Sequence, residues 1–219
     1  MIIRSHPQAS TLMSHASGAL PGAISGVIAC HLSMCEQCRA DIRILDMVGG
    51  LMLEGMASPR RDEFAEAQAV KRALERDAPP SEPPPRLPPS EDFLPSPLAR
   101  YLGMNGEDIP WQRLPKGIRQ YWVGLPPGSG NMRILRVPPG AELLEHSHGG
   151  MEATMILRGT YSDHTGDYER GDVCEMTEGT EHMPTTVSSA DECICIVASE
   201  VRPRYSRWYA RLFQPLLGY

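Results

Sequence analysis

The 219-residue chain has little with which to meet a membrane or a nucleic acid. No apolar run is long enough to span a bilayer, which takes about 20 consecutive apolar residues, and the opening MIIRSHPQASTLMSHASG has no continuous apolar core of the kind a signal peptide needs. The sequence therefore predicts a cytoplasmic protein with no membrane partner. Basic residues are in the minority, 21 Lys and Arg against 27 Asp and Glu, for a formal charge of −6. Nonspecific nucleic-acid affinity comes mainly from Lys and Arg neutralising phosphates, so no direct nucleic-acid contact is expected, and any role in transcription should pass through a protein. Cysteines number six. An even count could mean disulfides, but there is no export signal and three of the six, Cys30, Cys35 and Cys38, fall within nine residues, which fits metal ligation or free thiols in a reducing compartment.

What is present divides in two. Between Ala78 and Pro97, nine of twenty residues are proline, which removes backbone donors and fixes φ along an extended, semi-rigid spacer. The expected organisation is a helical domain over 1–76, a linker over 77–97 and a second domain over 98–219. Before the spacer the pattern is helical. A first segment from about Ser10 to Gly18 is followed by one that Pro21 can open, in which Ile24, Val27, Ile28 and His31 recur at helical spacing. A third run from about Glu36 to Leu53 sets Ile42, Leu45 and Val48 on one stripe, and a fourth, RDEFAEAQAVKRALER, sets Phe64, Ala67, Val70 and Leu74 against a charged face. That last stripe suits packing against neighbouring helices or binding a partner equally well. After the spacer the period shortens. NMRILRVPPG, EATMILRGTYSD, GDVCEMTEG and DECICIVASE are short β-branched and apolar runs separated by Gly, Pro, Asp or Ser, as in an all-β sandwich or barrel.

In His31-x3-Cys35-x2-Cys38, offsets of four and three bring the side chains to one side of a helical turn, and two thiolates with an imidazole suit Zn²⁺. The plainer alternative, two small buried core cysteines, does not account for the spacing. A tetrahedral site needs a fourth donor. His6, just ahead of the first helix, could fold back over the corner between the second and third; His15 competes from mid-helix. Cys30, adjacent to a ligand, is rotated about a hundred degrees away on an ideal helix and reads as a buried thiol, with the role of alternative ligand as the other reading.

These residues, in the context ACHLSMCEQCRADI, resemble the zinc-binding domain of the ChrR-type anti-sigma factors. The resemblance implies a helical fold knitted by zinc, with an apolar surface that grips a sigma factor and keeps it from RNA polymerase. With about 76 residues and few large side chains, such a domain has limited core, and a closed zinc site is expected to contribute on the order of 10 kcal/mol to its folding.

The second half contains GAELLEHSHGGMEATMILRG, that is Gly140-x5-His146-x-His148-x3-Glu152-x6-Gly159, and GDVCEMTEGTEHMPTT, that is Gly171-x5-Thr177-x-Gly179-x2-His182. His146 and His148, two apart on a strand, point to one face; Glu152 can join them after the Gly149-Gly150 turn, and His182 can complete the set. The two stretches resemble the paired motifs of the cupin superfamily, the first at every defining position, the second with Thr177 where proline is usual and Thr186 where asparagine is usual. The implied fold is a small β-barrel with a metal inside, Zn²⁺ or another divalent transition metal. ChrR-type proteins join the same helical domain to a cupin, so the fold class expected for the whole chain is α + β in two domains, and the function is sequestration of an extracytoplasmic-function-type sigma factor, with the cupin sensing a stress such as reactive oxygen species. The competing reading is a metal-dependent cupin oxygenase or isomerase; the sequence shows no convincing additional acid or base beside the ligands, Tyr161 and Glu178 being the ones that could lie near. Glu142 and Glu145 read as solvated, His164 as a turn residue, and Cys174, Cys193 and Cys195 as core thiols.

Overall fold

A computed structural model of the chain describes residues 2–56, 67–72, 92–143, 146–182, 185–186, 191–201 and 204–205. Most of the proline-rich spacer, together with Phe64, Leu74 and Glu145, lies outside them. The amino-terminal part is α1 (Ala9–Ala16), α2 (Gly22–Met34) and α3 (Glu36–Gly55). Residues 67–72 are also helical, and all six are exposed, so this portion of the fourth run packs no side chain, Val70 included, into a core. After the spacer, α4 (Ser96–Leu102) starts with Pro97 in its first turn, where a missing N–H costs nothing, and stops at Gly103, whose φ of 67° is left-handed.

The rest is β structure. A six-stranded sheet runs in the order β1 (Gln112–Arg113), β2 (Arg119–Trp122), β3 (Asn131–Val137), β11 (Cys193–Ser199), β5 (Glu152–Arg158), β8 (Val173–Met176). Two three-stranded sheets accompany it: β10 (Thr185–Thr186) with β6 (Tyr161–Asp163) and β7 (Gly166–Tyr168), and β12 (Arg204–Tyr205) with β4 (His146–Ser147) and β9 (Glu181–His182). All pairings are antiparallel.

The two-residue side-chain period of a strand explains the layering. Along β11, Cys193, Cys195 and Val197 face one apolar cluster with Leu135, Ile156, Cys174, Tyr161 and Tyr168, whereas Ile194, Ile196 and Ala198 face another with Met132, Ile134, Ala153, Met155 and Leu157. The first cluster is the interior between the sheets. The second is the outer face of the large sheet, and it is covered by helix: Ala23, Ile24, Val27, Ile28 and Cys30 of α2 and Leu98 and Ala99 of α4 belong to the same cluster. The helical part and the sheet therefore share one apolar core. α2 approaches so closely that a Cβ on Gly26 would lie 2.7 Å from Met132 Cε, and the β2–β3 connection caps its first turn, Ala23 N–H donating to Ser129 O at 2.8 Å.

The stripe expected on α3 is covered along only part of its length. Ile42 and Leu45 are half-buried against this core, but Val48 is exposed, because α3 runs on past the helices that cover its first half. From there Met47, Val48, Leu51, Met52 and Leu53 are exposed by 48 to 70 %, and Ile44 one turn earlier lies on the same side.

Candidate metal centres

Cys35 has extended backbone, φ −102° and ψ 112°, and so ends α2 and serves as N-cap of α3, its Sγ accepting from Cys38 N–H at 3.4 Å. The turn is the corner expected between the second and third helices, so the three side chains are shared between two helices and do not lie on one continuous helical turn. His31 in the last turn of α2, Cys35 at the corner and Cys38 in the first turn of α3 nevertheless converge. His6 closes the set: its Nδ1 lies 3.4 Å from both Cys35 Sγ and Cys38 Sγ, and His31 Nε2 lies 3.3 Å from Cys38 Sγ. The four donor atoms all fall within 4.8 Å of one another. A tetrahedral zinc centre, with Zn–S about 2.3 Å and Zn–N about 2.0 Å, sets neighbouring donors roughly 3.5 Å apart, so the cluster has the size and the donor chemistry for that ion.

The surroundings agree. Burial, then the neighbouring Cys35, pushes the Cys38 thiol up to about 12, and burial lowers the basicity of His31. A buried Cys38 thiol facing a second sulfur carries this cost unless a cation compensates its thiolate. His31 Nδ1 is 2.8 Å from Gly171 O, a hydrogen bond that fixes the ring and leaves Nε2 turned to the cluster. His15 is not part of the set; its Nδ1 meets Ser25 Oγ at 3.0 Å. Cys30 is buried toward Leu98, where burial raises its thiol to about 12.

In the barrel, the structure brings together part of the expected set. The backbones of His146 and His182 are directly paired across β4 and β9, and their side chains lie outside the described residues. His148 and Glu152 are both buried, with Nδ1 and Oε2 3.4 Å apart. Burial pushes the Glu152 carboxyl up to about 7, against the opposing pull of Arg133. The glycines of the motifs are there for conformation: Gly159 has φ 76° and a Cβ on it would sit 2.5 Å from Glu192 O, and Gly179 (φ 81°) donates to His148 O at 3.0 Å, so the turn forms with Thr177 in place of proline. Thr186, in place of asparagine, donates to Pro138 O at 2.7 Å and accepts from Ala141 N–H at 3.0 Å, binding the turn before the motif to β10.

Neither of the two residues that could lie near the barrel ligands is set up as an acid or base. Tyr161 is buried, donates to Asp163 Oδ2 at 2.9 Å, and has its acidity strongly suppressed by burial; Glu178 is exposed. Glu142 is exposed and His164 sits in an exposed turn. Cys174, Cys193 and Cys195 are free, buried thiols of the interior cluster. Sequence reasoning misses the residues that brace the amino-terminal centre from the barrel, Gly171, Asp172 and Glu175, because nothing local marks contacts between residues this far apart in the chain. Among the described residues no helix is long and apolar enough to cross a membrane.

Residues 101–202 match the family model described as the ChrR cupin-like domain. The chain is 35% identical over 219 residues to the anti-sigma-E factor ChrR of Cereibacter sphaeroides, covering 98% of both chains. It also resembles a solved structure, the crystal structure of Rhodobacter sphaeroides SigE in complex with the anti-sigma ChrR, with a TM-score of 0.74, 33% identity, and coverage of 90% of this chain and 99% of that one. With the four-donor corner, the cupin-type sheets and a relative aligned along nearly its whole length, the chain belongs to the ChrR family of anti-sigma factors.

Proposed function

We propose that the chain sequesters an extracytoplasmic-function-type sigma factor in the cytoplasm, holding it away from RNA polymerase. In this reading residues 1–76 form the gripping part, residues 77–97 the tether and residues 98–219 the sensor. The observation that carries it is the apolar stripe on the second half of α3, Ile44, Met47, Val48, Leu51 and Met52, which rises from the corner of two cysteines and two histidines and is covered by nothing among the described residues. A stripe at helical spacing with this much exposed aliphatic surface is the form a helical partner site takes. The relative that matches along its length is an anti-sigma-E factor, and its solved structure is a complex with SigE, which supports a sigma factor as the occupant.

Zn²⁺ between His6, His31, Cys35 and Cys38 would lock the α2–α3 corner and thereby aim the stripe. In the barrel, His146, His148, Glu152 and His182 would hold Zn²⁺ or another divalent transition metal, and a stress signal acting there, such as reactive oxygen species, would loosen the grip. Release of this kind requires that the signal favour the free state over the bound one, since coupling is limited by that difference. The barrel is thus a sensor and not an enzyme.

Co-purification of the full chain with extracytoplasmic-function sigma factors of its own organism tests the reading. The parent chain should retain one of them, and the Cys35→Ser/Cys38→Ser double variant should lose both its zinc and that partner. Equal capture by the metal-free double variant would overturn it.

A further inference from the structure

The amino-terminal centre is held from outside by one short piece of the barrel. Asp172 is 1 % exposed, and its carboxylate accepts three backbone N–H groups: Arg4 at 2.7 Å and Ser5 at 2.9 Å on Oδ1, and Glu169 at 2.8 Å on Oδ2. The next residue, Val173, donates its N–H to Ser5 O at 3.0 Å. Ser5 directly precedes His6, so the backbone that delivers this donor is pinned on both its N–H and its C=O. The preceding residue, Gly171, accepts from His31 Nδ1 at 2.8 Å. Three consecutive barrel residues therefore fix two of the four donors, and they do so through groups that are not donors themselves. The segment is in turn braced on β5, with Gly171 N–H donating to Ile156 O at 2.8 Å and Ile156 N–H to Asp172 O at 3.1 Å. Farther along β8, Glu175 Oε2 accepts from Gln8 N–H and from Thr11 Oγ at 3.3 and 3.1 Å, which fixes the start of α1 behind His6.

We propose that Asp172 is a positioning residue for the amino-terminal metal centre, and that residues 171–173 of the barrel form its outer shell, so that retention of the metal in the helical part depends on the barrel segment. The proposal rests on the reading that the four donors hold zinc. A buried carboxylate shared among three N–H groups is a strong anchor, because charge-assisted bonds are shorter and stronger than neutral ones and an N–H left without a partner in the interior is costly. Without it, the stretch from Arg4 to Pro7 loses its only side-chain anchor among the described hydrogen bonds that involve Arg4 and Ser5, and His6 loses its fixed approach to both thiols.

The test uses the full chain, loaded with zinc or cobalt, in three variants: Asp172→Ala, Asp172→Asn, which keeps one acceptor oxygen but places an amide against a donor, and Asp167→Asn, an exposed aspartate that accepts from Ser162 Oγ within the β6–β7 hairpin. Loss of an outer-shell partner costs roughly 10- to 100-fold in metal affinity, so zinc should leave Asp172→Ala to a competing chelator that much faster, leave Asp172→Asn at an intermediate rate, and leave Asp167→Asn at the parent rate. Cobalt gives a readout that general loosening would not move. Its thiolate charge-transfer band reports only a site with cysteine ligands, and its visible bands should weaken in Asp172→Ala as His6 departs while the melting curve of the sheets is kept. Parent-like release rates and cobalt bands in both Asp172 variants would overturn the proposal; should Asp172→Ala not fold, Asp172→Asn alone decides it. Absence of the thiolate band from the parent chain would instead remove the metal centre itself, and the proposal with it.

Discussion

α2 and α3 are neighbours in sequence, joined at Cys35, and both carry apolar residues at helical spacing, yet they use them in opposite ways. α2 buries Ala23, Ile24, Val27, Ile28, Cys30 and His31 and is enclosed by the sheet on one side and by α1, α3 and α4 on the others. α3 is 20 residues long and buries only Cys38, at its start. Its later apolar residues face solvent. The difference lies in what is opposite: α2 packs on β3, β5 and β11 of the sheet, whereas α3 packs on α1 and α2 and runs on past them. Apolar periodicity thus names a face without saying whether the chain itself or another molecule will cover it.

The comparison is most severely tested at the joint. Cys35→Ser with Cys38→Ser should remove the cross-link that α2 and α3 share, and metal content together with thermal melting should show loss of zinc and of a folding contribution on the order of 10 kcal/mol in the helical part. Next in size is the core side of α2. Ile28→Ala should lower the stability of the whole molecule by about 2–5 kcal/mol, because it opens a cavity in the cluster that the helices share with the sheet, and denaturant unfolding followed by tryptophan fluorescence from Trp111 and Trp122 should register it in the barrel as well. Leu51→Asp in α3 should do the reverse, leaving stability within roughly 0.5 kcal/mol while weakening sigma capture at least about tenfold, as expected when a charge replaces a central apolar contact. A Leu51→Asp chain that melts far below the parent would mean that α3 packs on its own protein after all. The smallest effect belongs to His15→Gln, which should leave zinc stoichiometry unchanged and shift stability by no more than about 1 kcal/mol, the value of one partly exposed hydrogen bond to Ser25.

Much of this architecture is legible in the sequence. The 4-and-3 spacing of His31, Cys35 and Cys38 selects three donors, because short-range spacing and helical geometry are linked, and the two-residue alternation of CICIVAS places Cys193 and Cys195 on a common face. His6 requires topology as well as spacing, since its partners are 29 and 32 residues away. What stays hidden is long-range. Asp172 reads as an ordinary turn aspartate next to a motif glycine, and its bonds to Arg4 and Ser5 span 168 and 167 residues. The joining of helices and barrel in one core is hidden for the same reason: the proline spacer suggests separate bodies, but α2 is apolar toward two neighbours at once and its pattern cannot say which. Val48 is exposed because a stripe continues in sequence after its cover has ended in space.

The central strand β11 carries an arithmetic that follows from its two occupied faces. Odd-numbered positions from Cys193 to Val197 line the interior and even-numbered ones from Ile194 to Ala198 seat the helices. Insertion or deletion of one residue there would exchange the two rows, sending thiols to the helices and isoleucines inward beside Glu152. A change of one residue in this strand therefore needs a bulge to take it up, like the register shift that β11 already carries against β5 between Ile194 and Cys195.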